Sequence, residues 1–138
     1  MRMKLLKAAL IGILTTGCSV KNPEVILGSC WNVNELTPGR VAGQGVFIHS
    51  MEGLSLQAPG CSDQNGHNSF ELQSNADLAI DKYFESHRGD RFVGFAFKGH
   101  AGNSDGVKLL VIEQVYELRP VQEPHWITDL ERRRSLPK

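Results

Sequence analysis

Five histidines and three cysteines are the residues of this 138-residue chain best suited to hold a metal, move a proton or act as nucleophiles. The histidines are His49, His67, His87, His100 and His125, and no two are spaced at i, i+3 or i+4, so the chain carries no local metal signature. His49 and His100 fall toward the ends of strand-like stretches and could approach each other as a metal or pH-sensing pair. Isolated strand-end histidines are the plainer reading. Ser, His and Asp occur, but no G-x-S-x-G elbow accompanies them, and nucleophilic catalysis needs a geometry that a set of residue types does not supply. Residues 99 to 106 (GHAGNSDG) have the glycine content of a phosphate loop, yet they lack the following Lys-Ser/Thr and join two strands instead of opening a helix. Arg88-Gly89-Asp90 reads as a turn after a helix. These patterns imply a protein that is not an enzyme and needs no metal or cofactor.

Cys18 is set apart from Cys30 and Cys61 by what precedes it. Residues 1 to 7 (MRMKLLK) are basic, residues 8 to 14 (AALIGIL) apolar and residues 15 to 17 (TTG) small, the three-part layout of a secretory signal. The apolar stretch is too short to span a bilayer. The segment TTGC resembles the lipobox of bacterial lipoproteins: Gly17 and Cys18 match, and Thr15 stands where that family usually has Leu. The resemblance implies cleavage before Cys18 and acylation of its thiol. Several acyl chains then hold the protein to a membrane, each buried methylene adding about 0.8 kcal/mol. By the sorting rule of the same family, Ser19 implies the periplasmic face of the outer membrane. With Cys18 consumed by lipid, Cys30 and Cys61 remain as a pair in an oxidising compartment, where a disulfide is expected. Closing a loop of 31 positions contributes about 3.5 kcal/mol in the chain-entropy description.

Removing the signal changes the charge. Arg2, Lys4 and Lys7 leave with it and all fifteen acidic residues stay, facing twelve basic ones, for a formal net charge of −3. That sign argues against nucleic acid, which requires a clustered cationic excess.

The elements that must position any site follow from periodicity. Residues 1–17 read as signal peptide, 18–39 as lipid anchor and tether, 40–119 as the folded domain and 120–138 as a polar tail containing Arg132-Arg133-Arg134. Within the tether, Val33 and Leu36 can dock a short turn and Trp31 can pack beside Cys30. Residues 41–50 form a first strand, with Gly43 and Gly45 permitting a bulge or curl. Residues 54–58 and 69–73 form two shorter strands. Ala76, Ala79, Ile80, Tyr83, Phe84 and His87 then fall at helical spacing, Ser74 and Asp77 are placed for a capping box, and Gly89 provides a stop. Residues 91–99 and 107–120 form two further strands, the last ending at Pro120.

The order β-β-β-α-β-β, with a glycine-interrupted first strand, resembles the five-stranded OB barrel over residues 40–119. More narrowly, GRVAGQGVF, LSLQAPGC and the closing apolar strand are similar to small exported bacterial proteins with OB-like domains of uncharacterised function. A β-sandwich is the alternative, though it leaves the helix without a role. In OB domains the connections between strands one and two and between strands four and five flank the usual binding face. The resemblance therefore implies a binding face at Phe47, His49, His100 and Asn103. The expected function is a membrane-anchored binding module for a small ligand or a protein partner. The alternative is a structural lipoprotein of an envelope complex that takes no small ligand.

Overall fold

The computed structural model describes residues 23–61 and 68–123. It is mainly β with one helix: β1 (Val25–Ile26), a 3-10 turn (Val33–Glu35), β2 (Gly39–Ser50), β3 (Gly53–Gln57), β4 (Phe70–Leu72), α1 (Ser74–Ser86), β5 (Phe92–Ser104) and β6 (Val107–Pro120). The strands make one mixed sheet in the order β1-β2-β5-β6-β4, with β3 also paired to β2. Two expectations are corrected here. Six strands replace five, because Val25 and Ile26, in the stretch read as tether, pair in parallel with Val41 and Ala42. The sheet is also not closed among the described residues, since no pairing joins β3 to β4, nor do those residues form the second sheet of a sandwich.

β2 organises the rest. One of its edges is paired to β5 without interruption from Gly39 opposite Ala101 to Ile48 opposite Phe92. Its other edge is shared: β1 takes Val41 and Ala42, and β3 takes Val46 to Ser50. Between these partners the backbone still needs satisfying. The Leu27 amide donates to the Ala42 carbonyl at 2.8 Å, and the Trp31 indole Nε1 donates to the Gln44 carbonyl at 2.9 Å. The expected bulge at Gly43 and Gly45 is absent, since the β5 register runs straight through them. Gly45 serves contact instead: a Cβ there would stand 2.8 Å from the Phe95 ring.

The irregularity lies in β6. β5 and β6 form a long hairpin closed by Asp105 and Gly106, whose φ of 52° and 80° fit the type I′ turn favoured between twisted strands. β5 therefore extends through Ser104, into the glycine-rich stretch of residues 99–106 that joins the two strands. Its register against β6 shifts between Gly94 and Ala96 and again between Lys98 and Gly99, each time with an extra β6 residue. At the second shift, Gly99 faces β6 so closely that a Cβ would lie 1.9 Å from the Val111 carbonyl oxygen.

Alternate residues of β2 and β5 build the core. Phe47 stacks on Phe95 with ring centroids 4.0 Å apart, and Trp31 meets Phe97 edge-on at 5.9 Å. Leu110 and Ile112 of β6 and Ala76 and Ile80 of α1 complete this inner layer. Asn68 is buried within it, accepting from the Val33 amide at 3.0 Å and donating to the Leu56 carbonyl at 3.1 Å, so both ends of its amide are satisfied. α1 covers the inner face. Its N-cap is Gln73, with no side-chain capping bond, so the expected box of Ser74 and Asp77 does not form: Ser74 is already helical. The disulfide Cys30–Cys61 ties the segment ahead of β2 to the segment after β3.

Candidate functional site

The four residues expected to share a binding face are separated. Phe47 has no exposed surface and belongs to the core. His49 lies on the same inner side of β2, against the Phe84 ring of α1 at 4.6 Å between centroids. His100 is opposite Arg40, at the other end of the β2–β5 ladder, so His49 and His100 do not form a pair. Asn103 is exposed near the hairpin turn, paired with Lys108. Among the described residues, no three His, Cys, Asp or Glu side chains converge as metal ligands. Cys18, His67, His125 and the arginines of the tail lie outside the described residues.

What the fold does gather is a row on the outer side of the sheet, the side α1 leaves uncovered. Arg40 and His100 face each other across β2 and β5. The register shift in β6, on the other side of β5, brings the Glu113 carboxylate within reach of both. Its Oε2 is 3.1 Å from His100 Nδ1 and its Oε1 is 3.8 Å from Arg40 Nη2. A bulge of this kind re-aims a side chain out of the regular alternation. All three groups are partly exposed, so their attraction is screened by water and contributes little to stability. The carboxylate nevertheless fixes the orientation of an imidazole and a guanidinium at the surface, an arrangement suited to holding a polar or anionic group.

Two residue pairs further along the same face, the character changes. Ala42 is opposite Lys98, and Gln44 is opposite Ala96, which is itself opposite Tyr116. Ile26, in register with Ala42, borders a shallow hollow of about 340 Å³ that Tyr116 and Ala96 line from the other side. Ile26 is 71% exposed and Tyr116 38%. The small side chains of Ala42 and Ala96 leave the hollow open. Sequence reading missed Ile26, Glu113 and Tyr116. For Ile26 a signal existed in the apolar run Val25-Ile26-Leu27, which is longer than a solvated tether needs. For Glu113 and Tyr116 none existed, because nothing in VIEQVY marks where the register slips.

At the far end of α1, Tyr83 donates to Asp90 Oδ2 at 2.7 Å and stacks on His87 at 4.1 Å. Burial, and then the hydrogen bond and negative charge of Asp90, push the Tyr83 phenol up to about 12. Asp90, the last residue of the Arg-Gly-Asp tripeptide, is thereby engaged within the fold. No protein-family model, curated protein or solved structure matches this chain, so the reading of its outer face rests on the geometry above.

Proposed function

We propose that this chain is an exported, lipid-anchored protein of the bacterial envelope that acts as a small binding module and not as an enzyme. The observation that carries the reading is the assignment of cysteines. Cys30 and Cys61 are bonded to each other, which leaves Cys18, behind a basic, an apolar and a small-residue stretch, as the third. An OB-like description of the domain draws support from the pairing pattern. Counting from β2, the first strand pairs antiparallel with the second and the fourth, the fourth pairs antiparallel with the fifth, and the fifth pairs parallel with the third. The helix follows the third strand, as in a partly open Greek-key barrel. The binding surface we assign is the row of Arg40, His100 and Glu113 with the adjoining hairpin at Asn103, one of the two connections that flank ligands in that architecture.

The anchor is tested by Cys18→Ser. The expected result is loss of the acyl mass and release from the membrane fraction; unchanged mass and fractionation would exclude a lipid at Cys18. The binding role is tested on protein solubilised in detergent from its native envelope. A monomer retaining a small ligand, lost from His100→Ala with Glu113→Ala, is expected. A stoichiometric protein complex indifferent to both changes would instead favour a structural subunit.

A further inference from the structure

We infer that the outer face around Ile26 and Tyr116 is a membrane seat, resting directly on the bilayer that holds the anchor. The inference rests on acylation of Cys18. Seven residues separate Cys18 from Ile26, eight steps along the chain that span at most about 29 Å at full extension. A domain of about a hundred residues is roughly 30 Å across. The tether therefore keeps the β1 edge of the sheet near the lipid; at that edge the inner face is occupied by Leu27, Trp31, Val33 and Leu36, which leaves the outer face as the open one.

That side has the composition an interface requires. Ile26 projects on the outer face with 71% of its surface exposed. Tyr116 offers an apolar ring with a polar tip, the combination favoured where acyl chains meet headgroups. Ala42 and Ala96 lie between them with little bulk, so the two large side chains stand clear of the sheet. Lys98 is exposed in the neighbouring row, opposite Ala42 and Gln114, and Arg119 lies beyond Tyr116 on the other side. Cations flanking an apolar centre match an anionic leaflet. The acids nearby are Glu113, occupied by Arg40 and His100, together with Glu24 and Glu117 at the margin. They limit the electrostatic share, so the apolar contact dominates. The helix side is the opposite surface, where Leu78 is 66% exposed.

The experiment uses the full acylated protein, reconstituted into vesicles of phosphatidylcholine and phosphatidylglycerol that contain lipids brominated on their acyl chains. Tryptophan is placed by Tyr116→Trp on the seat or by Leu78→Trp on the helix side. Trp31 and Trp126 provide the same background in both, and both substituted positions are exposed, so the fold tolerates them. Quenching at position 116 is expected to be at least threefold that at position 78. Adding Ile26→Glu to Tyr116→Trp should reduce it by half or more, and Lys98→Glu should reduce it only when phosphatidylglycerol is present. Equal quenching at the two positions in a protein whose intact mass shows acyl chains would overturn the seat and leave the anchor intact. Quenching at position 116 that requires added envelope protein would also overturn it, in favour of a protein partner. An intact mass without acyl chains would overturn both.

Discussion

The two faces of β2, β5 and β6 are built from the same strands and share almost nothing. On the inner face, Phe47, Phe95 and Phe97 meet Leu110, Ile112 and the buried side of α1, and glycine is used where a ring must lie flat on the backbone. On the outer face, alternate residues of the same strands are Arg40, Ala42, Gln44, Ala96, Lys98 and His100 at one end, a mixed surface, while Val46, Ile48 and Phe92 at the other end form a smaller buried apolar cluster against Val121. The inner face specifies the fold through shape, since close-packed aromatic side chains tolerate few rearrangements. Away from the small cluster under Val121, the outer face is relieved of that task and is free to carry binding chemistry. Even the bulge that aims Glu113 outward depends on the inner face, through the close approach of Gly99 to Val111.

The contrast predicts a graded series of losses. Phe95→Ala removes the ring stacked on Phe47 and should cost roughly 3–5 kcal/mol, read from the denaturant midpoint at unchanged m. An equal loss for Tyr116→Ala on the outer face would erase the distinction between the faces. Gly99→Ala places a methyl group against the Val111 carbonyl and should cost about 3 kcal/mol, because backbone must shift. It should also alter the bulge, visible as a changed amide environment at Glu113 by NMR. Tyr83→Phe, at the rim of the inner layer, should cost about 1 kcal/mol at neutral pH. The Tyr83 phenol is raised from 10.0 to about 12, so the folded state favours its protonated form. The corresponding stability is fully present below pH 10 and lost as pH rises toward 12; the phenylalanine variant should lack that part of the alkaline slope in thermal melts. Glu113→Gln should change stability by less than about 0.5 kcal/mol, as expected of a partly exposed ion pair. A large loss there would mean the outer row is structural.

The inner face was legible in the sequence and the outer face largely was not. The apolar run in residues 91–99 and the helical spacing from Ala76 to Phe84 announced their elements, because burial restricts residue type along an element. Asn68 and β1 escaped notice for a common reason: each is defined by partners far along the chain, Val33 with Leu56 for the first and Val41 with Ala42 for the second. The helix cap was misplaced by one residue, since Ser74 suits either side of the boundary. His100 was singled out by fold analogy, and its partner Glu113 depends on a slipped register that leaves the local pattern unchanged. Phe47 was assigned to a binding face by fold analogy, and the alternation along β2 turns it into the core.

The bond between Cys30 and Cys61 also has a mechanical consequence. A pull on the chain ahead of β1 first unzips Val25 and Ile26 from β2, an edge of only two residue pairs. Extraction then halts at Cys30, because the load passes across the sulfur bridge to Cys61 and the far end of β3. Further unravelling would have to separate β3 from β2, which are joined along five residue pairs. The domain can thus yield a few residues of slack to a force at its N-terminal side while its aromatic core stays sealed.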